Sequence, residues 1–260
     1  MDYLLANPWQ PLVVFACYAI FWSWESIAPF FQYRGRLKHA ARNLTVSVLN
    51  ALILALLFSG LMFTIAGEVG RERLGLFSIV EIPLGARMIF SFVLLDLGMY
   101  WWHRMNHRID FLWRFHRMHH SDPEVDVTSA TRFHPGEIIL SSTARLILIA
   151  VLAVPSDAIV LYDAIQLPVI CFHHANIGLP RSLHKLLTCF IVSPFMHKIH
   201  HSRVKQETDS NFSSVLSVWD RVFGSYREAD SSRGIRFGLE GFDGDERQSL
   251  AGLLKTPLSS

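Results

Sequence analysis

Eight histidines of this chain fall into three short boxes whose spacing suits metal binding. The first box places His103 and His107 four residues apart, a separation that stacks two side chains on one face of a helix. The other two boxes share the pattern HxxHH, in which one short helix would direct three imidazoles to the same side. Their members are His116, His119 and His120 in the second box, and His197, His200 and His201 in the third. Neutral imidazole is the commonest side-chain metal ligand and suits iron, zinc and copper, so the boxes predict a metal site.

The number of histidines indicates more than one metal ion. A single zinc site uses three or four ligands, so eight imidazoles fit two metals better than one. A zinc hydrolase would also need a carboxylate base beside its ligands, as in H-E-x-x-H. The residues inside the boxes are instead Arg104, Met105, Asn106, Arg117, Met118, Lys198 and Ile199. Metal-dependent hydrolysis is therefore disfavoured.

The composition is typical of a membrane protein. Of the 260 residues, 51% are hydrophobic and only 18% are charged, and the mean hydropathy is +0.28, which is too apolar for an ordinary soluble enzyme. The formal net charge is +2, with bases scattered among acids, so binding to a nucleic-acid backbone is disfavoured. Cys17, Cys171 and Cys189 lack CxxC spacing and are expected to be small buried apolar residues.

Apolar segments then position the boxes relative to a membrane. Three of them are predicted spans: Pro11–Phe31, Leu44–Ala66 and Met88–Trp102. The runs Ile138–Val154 and Ala158–Phe172 are predicted to form a helical hairpin that crosses fully or partly. The basic segment QYRGRLKHAARN after the first span is predicted to be a cytoplasmic loop by the positive-inside rule. Counting crossings from that loop puts all three boxes on the cytoplasmic face.

The predicted fold is all-α, a multi-span bundle of about four or five hydrophobic helices with a cytoplasm-facing helical cap. Leu183–Phe195 is too short to span and is expected to be one interfacial or buried helix. A single integral-membrane domain is predicted over residues 1–228, with its His-box core at about 90–228, followed by a polar cytoplasmic tail at 229–260. The N-terminus lacks the features of a cleavable signal, so its first apolar segment is expected to remain as an anchor.

Several longer segments accompany the boxes and point to one family. They are DLGMYWWHRMNH, RFHPGE at 132–137, HAN at 174–176, SPFMHKIHHS at 193–202 and NFSSVLSVWDRVFGSY at 211–226. With the three boxes among membrane spans, they resemble the sterol desaturase and fatty acid hydroxylase superfamily, which consists of integral-membrane oxygenases with two histidine-ligated irons. The chain is most similar to its bacterial sterol-desaturase-like and alkylglycerol-monooxygenase-like members. The resemblance covers roughly residues 90–228.

This resemblance implies further site residues and the chemistry. The histidine of HAN, His174, is implied as a ninth ligand, while His173 beside it has no counterpart in the family. His134 in RFHP could either ligate or anchor the polar loop, so His134 and His173 are the weaker candidates. Two iron ions, with O2 as co-substrate, are implied for hydroxylation or desaturation of an unactivated C–H bond in a fatty acyl, sterol or ether lipid. The chemistry is centred on metal, and no side chain is assigned as a catalytic acid or base.

Four polar residues are candidates to support the ligands. A ligating imidazole usually donates its second N–H to a carboxylate or a carbonyl. Asp96 lies seven residues before His103 and is the only charged residue in its apolar span, which makes it a functional candidate. Asn176, Asn211 and Asp220 fall in the family-like segments, and for these three a helix or turn cap is an equally good interpretation.

Electrons are expected to come from a separate protein, because the sequence contains no GxGxxG fingerprint and no cysteine cluster. The resemblance implies a cytochrome b5-like or ferredoxin-type donor. Cations near the boxes are predicted to anchor the membrane interface, or else to meet a lipid head group or an acidic donor. They are Arg104, Arg108, Arg114, Arg117 and Arg132.

The alternative class is a multi-span histidine-rich protein that binds or transports metal. Transport sites are expected near the bilayer midplane on discontinuous helices, whereas these boxes follow directly after predicted spans. The oxygenase is therefore favoured. Its predicted location is the inner membrane in a bacterium, or the endoplasmic reticulum in a eukaryote, with the lipid substrate reached from the bilayer.

Overall fold

The computed structural model describes residues 10–80, 82–228 and 234–259, without the side chains of Gln10 and Pro11. Within these ranges the chain forms helices and connecting loops, and β-structure is limited to three isolated bridges. The predicted all-α class is therefore confirmed for the part of the chain that is described.

Eleven α-helices of five or more residues are assigned along the described ranges. In chain order they are α1 (Gln10–Ile27), α2 (Arg36–Ile53), α3 (Gly60–Arg71), α4 (Leu84–Arg108), α5 (Asp110–His120), α6 (Pro135–Leu152), α7 (Ser156–His174), α8 (Arg181–Leu187), α9 (Pro194–His200), α10 (Val218–Val222) and α11 (Leu250–Leu254). A π-helical segment, Leu54–Ser59, joins α2 to α3. Shorter helical turns lie at Leu76–Ile79, Val127–Thr131, Lys205–Thr208 and Thr256–Leu258.

Three segments are long and apolar enough to cross a membrane: Arg36–Ile79, Leu84–Arg108 and Pro135–Leu152. Only 17 to 28% of the most apolar part of each is buried inside the protein, which leaves a wide apolar surface for lipid. Helix α1 is apolar over the shorter stretch Leu12–Ile27. The chain is thus a membrane protein, while the number of crossings and the face that carries the boxes stay predictions.

Helices α6 and α7 occupy the two apolar runs of the predicted hairpin, but they pack on α4 and hardly on each other. The turn between them contains Ala153 in the left-handed region, at φ 57°, just before Pro155 caps α7. The main core cluster lies where both helices pack on α4, and it includes Leu95, Ile149 and Tyr162. The two helices therefore hold α4, the helix that ends in the first box.

Two local predictions were wrong. The basic segment after α1 is largely helical, because Gly35 at φ 79° ends the loop and Arg36 begins α2. The Arg36 guanidinium then pairs with Glu25 of α1 at 2.8 Å. The apolar stretch Leu183–Phe195 is also not one helix: α8 ends at Leu187. The chain bridges to Leu216 through Ile191, and α9 begins at Pro194, a residue suited to the first helical position.

Residues 234–259 pack onto the helices of the cap. Leu253 of α11 is fully buried beside Met118 of α5 and Val46 of α2. The Gln248 amide donates to the Ser121 carbonyl at 2.8 Å. The boundary between domain and tail stays a prediction, but this part of the chain covers the second box. The expectation for the cysteines holds for Cys17 and Cys171, whereas Cys189 is exposed.

Asp96 is buried in α4 but serves the fold rather than a histidine, contrary to its predicted role. Its carboxylate accepts hydrogen bonds from the backbone N–H groups of Val215 and Leu216, at 3.2 and 2.9 Å. It also accepts from the Trp219 indole at 2.8 Å and the Tyr162 hydroxyl at 3.0 Å. Asp96 therefore fastens the segment after the third box to the membrane helices.

We expect Asp96→Ala to lower the free energy of unfolding by about 3–5 kcal/mol, because two buried and two partly buried donors would lose their acceptor. Thermal unfolding in detergent measures this loss. Asp245→Ala is the control, since Asp245 is exposed on the surface and, among the described residues, pairs with Lys38 and Arg42 alone. Equal unfolding midpoints for the two variants would contradict the role given to Asp96.

Candidate metal centre

Four helix ends bring the histidines together. Helix α4 ends with the first box, and the extended residue Ile109 (φ −109°, ψ 113°) turns the chain directly into α5, which carries the second box. His173 and His174 form the last turn of α7. Helix α9 begins where the Ser193 hydroxyl caps the Met196 N–H, and it carries the third box. Because helical spacing places each box on one face, the four ends face a common interior.

Five histidines form the first cluster, here called the five-histidine group. They offer ligand nitrogens that all lie within 4.8 Å of one another. The members are His103, His107, His116, His120 and His200. The Nε2 atom of every one of these rings is buried and has no hydrogen-bond partner among the described residues.

Four histidines form the second cluster, here called the four-histidine group, and their ligand nitrogens also lie within 4.8 Å of one another. They are His119, His174, His197 and His201. Their Nε2 atoms approach each other closely: His119 to His174 at 3.2 Å, His174 to His197 at 3.0 Å, and His197 to His201 at 3.0 Å. The two groups adjoin, since the rings of His120 and His201 stack with centroids 4.6 Å apart.

The hydrogen bonds of the outer ring nitrogens show that these sites fit a metal ion. His174 Nδ1 donates to the Ile170 carbonyl at 2.9 Å, and His119 Nδ1 donates to the Arg132 carbonyl at 3.3 Å. A carbonyl only accepts, so in each neutral ring the proton is on Nδ1 and the Nε2 lone pair points inward. Two lone pairs that face each other at 3.2 Å repel each other unless a proton or a metal ion lies between them. Metal–nitrogen bonds of about 2.0–2.1 Å place neighbouring ligand nitrogens about 3 Å apart.

Burial also favours the neutral, metal-binding form of these side chains. Removal from water lowers the pKa of His119, His120, His197 and His201 well below the usual value. The same cause lowers the pKa of His200 to about 3. These rings are therefore unprotonated at neutral pH, as metal ligation requires.

The outer nitrogens of the five-histidine group contact partners that were not predicted. His116 Nδ1 donates to Glu137 Oε1 at 2.7 Å, and His107 Nδ1 lies 3.5 Å from Asp209 Oδ1. His103 and His200 donate to the carbonyls of Phe212 and Ser210, at 2.8 and 2.7 Å. The sequence could have indicated a supporting role for Glu137, because this residue lies in the family-like segment RFHPGE. No sequence feature indicated such a role for Asp209.

The predicted supporting residues hold loops instead of ligands. Asn176 exchanges two hydrogen bonds with the backbone of Phe31, at 2.9 and 2.8 Å. Asn211 has φ 54° and donates to the Met196 carbonyl at 3.0 Å. The Asp220 carboxylate accepts from the Phe212 N–H at 2.7 Å and so positions the carbonyl that binds His103. The capping interpretation therefore describes all three better than direct contact with a ligand.

The two weaker candidates lie in different places. His134 caps α6 by accepting from the Gly136 N–H at 2.9 Å, and its other nitrogen contacts the Leu254 carbonyl at 3.1 Å. It is outside both groups, so the loop-anchoring alternative fits it. His173 is buried with its ring centroid 4.1 Å from that of His197, but it belongs to neither group.

The arginines near the boxes do not form one surface. Arg132 is fully buried. The guanidinium of Arg104 donates to the Phe223 carbonyl at 3.1 Å, and that of Arg117 to the Thr256 carbonyl at 2.7 Å. Arg108 and Arg114 are exposed. The prediction of an interfacial role is therefore wrong for Arg132, whose charge is enclosed in the cap.

The sequence model of the fatty acid hydroxylase family matches residues 88–225. This range is more than half of the chain and includes every member of both histidine groups. The chain therefore belongs to the fatty acid hydroxylase family, as the resemblance predicted.

Among proteins of known name, the chain is similar to several lipid hydroxylases. It is 25% identical to ornithine lipid hydroxylase OlsE of Rhizobium tropici over 159 residues, which is 61% of this chain and 47% of the relative. It is 31% identical to human alkylglycerol monooxygenase over 155 residues, 57% of this chain and 32% of the relative. Identity to cholesterol 25-hydroxylase of Rattus norvegicus is 22% over 163 residues, 60% of this chain and 51% of the relative.

These similarities cover about half or less of the length of each relative. No solved structure matches the chain significantly.

Proposed function

We propose that this protein is a membrane-bound, O2-dependent lipid oxygenase whose two histidine groups each hold one iron ion. The observation that supports this most is the set of nine buried Nε2 atoms that converge in two adjoining groups without an outside partner. The family and its hydroxylase and monooxygenase relatives support the oxidation of a lipid. The choice of iron rests on the resemblance of the histidine boxes to those of histidine-ligated di-iron oxygenases. The reaction is hydroxylation or desaturation of an unactivated C–H position.

The residues of the chain would each have a defined part. The five-histidine group and the four-histidine group would hold the irons through Nε2, and the outer acceptors, such as Glu137 and the Phe212 carbonyl, would fix ring orientation. Two irons would supply the activation of O2 that C–H oxidation requires. Burial of all the ligand side chains would exclude water from the site.

The remaining parts of the proposal concern partners and location. The apolar surfaces of the three long segments would allow a lipid with a long apolar portion to reach the site from the bilayer. Electrons would come from an external donor, either cytochrome b5-like or ferredoxin-type. The boxes would face the cytoplasm, at the inner membrane of a bacterium or the endoplasmic reticulum of a eukaryote.

The experiment that tests the proposed function compares the lipids of cells that express the wild-type chain with those of cells that express an inactive chain. The expected result is a lipid class that gains one oxygen, or loses two hydrogens, only with the wild type and only in air. The proposed function would be contradicted by an unchanged lipid profile together with a rate of O2 consumption that does not change when reductant and lipid are added.

Removing the metals is expected to destabilise the protein reversibly. A ligand that binds only the folded state adds about 4 kcal/mol when its free concentration is a thousand times its Kd. Chelation should therefore lower the unfolding midpoint by several degrees, and added Fe(II) should restore it. If neither chelation nor added Fe(II) changes the unfolding midpoint, the buried histidines hold no metal.

A further inference from the structure

The two histidine groups have different partners behind their rings. In the five-histidine group, one ring is hydrogen-bonded to a carboxylate, since His116 Nδ1 donates to Glu137 Oε1 at 2.7 Å. A second carboxylate lies nearby without a hydrogen bond, since Asp209 Oδ1 is 3.5 Å from His107 Nδ1. Glu137 is nearly buried, with 6% of its side chain exposed, while Asp209 keeps 22% exposed. The Asn106 amide also donates to Glu137 Oε1, at 3.3 Å, which fixes the carboxylate in place.

The four-histidine group is backed differently. Its outer hydrogen bonds go to backbone carbonyls, those of Arg132 for His119 and Ile170 for His174. The ionisable side chain beside it is a base: buried Lys198 donates to the Ala175 carbonyl at 2.7 Å, one residue after His174. No described carboxylate bonds to a ring of this group.

This difference has a direct consequence for metal affinity. A carboxylate behind an imidazole raises the basicity of the ligand and adds a negative charge near the cation. Loss of such an outer partner typically costs 10- to 100-fold in metal affinity. A carbonyl supplies no net charge, and the Lys198 side chain repels a nearby cation when its amine is protonated. The five-histidine group also offers one more ligand nitrogen.

We infer that Glu137 and Asp209 are positioning residues that make the five-histidine group the tighter of two unequal metal sites. The inference rests on the metal assignment in the proposed function. It concerns how the protein loads its two metals and which one it loses first, and neither carboxylate is predicted to touch the substrate.

The test uses the full chain, purified in detergent and loaded with 57Fe(II). A chelator titration should remove the two irons of the wild type in separate steps. Glu137→Gln removes the charge but leaves an amide oxygen that can accept from His116, so it isolates the electrostatic effect. We expect E137Q to release the more tightly held iron at a 10- to 100-fold lower chelator concentration, and Asp209→Asn to act in the same direction.

Mössbauer spectra report on each iron separately, so they distinguish an effect on one metal site from a general loss of structure. E137Q should change the signal of one iron and leave that of the other unchanged, and the conservative variant Glu137→Asp should restore part of the affinity. The matched control is Asp163→Asn, because Asp163 pairs with Arg145 at 2.5 Å on the membrane helices and bonds to no histidine among the described contacts. It should release both irons as the wild type does.

Several results would overturn the inference. One is a wild type that releases both irons in a single step. Another is E137Q and D209N profiles that match the wild type, or signals of both irons that change together. D209N keeps the test valid if E137Q fails to fold, since Asp209 is partly exposed. A wild type that binds no iron tightly would instead refute the proposed function, whereas two equal irons with O2-dependent activity would refute only this inference.

Discussion

His119→Ala is expected to abolish turnover and to lower the iron content from about two ions per chain toward one. His119 is fully buried in the four-histidine group, 3.2 Å from the Nε2 atom of His174. The group would be left with three imidazoles and an empty volume where the ring had been. The loss in affinity should exceed the roughly 10- to 100-fold cost of removing an outer partner. Iron analysis and O2 consumption on the same sample measure both effects.

His134→Asn is the control for that variant. His134 belongs to the same family-like region but only caps α6 and contacts the Leu254 carbonyl, and asparagine is a good N-cap residue. This variant should keep both irons and nearly full activity. Retained activity in His119→Ala would refute its assignment as a ligand, and loss of iron in His134→Asn would show that His134 ligates after all.

Arg132→Met is expected to lower the free energy of unfolding by about 3–5 kcal/mol, because it leaves the buried Asp122 carboxylate without its main cation. Arg132 NH1 donates to Asn43 at 2.9 Å, and NH2 donates to Ser121 and Gln248 at 3.1 and 2.8 Å. The guanidinium thereby ties α2 and the chain near α11 to the segment after the second box. Its positive charge also keeps the pKa of Asp122 well below the usual value, together with His39.

The unfolding midpoint should fall by roughly 6–20 °C in this variant. Arg203→Met is the matched control, because Arg203 pairs with Asp243 near the surface, where an ion pair contributes little. Its midpoint should move by no more than a few degrees. If both variants lose the same stability, the network around Arg132 has no special role.

The sequence predicted which histidines converge better than it predicted which residues position them. Helical spacing is a local property, so the faces of the three boxes could be derived from HxxxH and HxxHH alone. The same is true of the existence of α6 and α7, which follows from two apolar runs and a proline turn, whereas their packing on α4 rather than on each other does not. His174 required the family resemblance, because one histidine in HAN has no spacing to distinguish it.

The errors concern residues whose partners lie far away in the chain. Asp96 shares a helix with His103, which predicts contact between the two, yet its partners Val215, Leu216 and Trp219 come about 120 residues later. Asp209, in the loop after α9, lies 3.5 Å from His107. The buried Arg132 guanidinium donates to the Gln248 side chain, which is 116 residues later. Such contacts depend on tertiary packing, which neither hydrophobic periodicity nor charge patterning encodes. The helix break before the third box was missed for the same reason: Ile191 bridges to Leu216.

The central claim is that the nine grouped histidines hold two irons that activate O2 for lipid oxidation. The most direct measurement is the metal content of the purified chain, taken together with its O2 uptake in the presence of lipid and a reductant. We predict about two tightly held irons per chain and O2 uptake that requires the reductant. Readily exchanged zinc with no O2 uptake would contradict it and would favour a metal-binding or metal-transport protein.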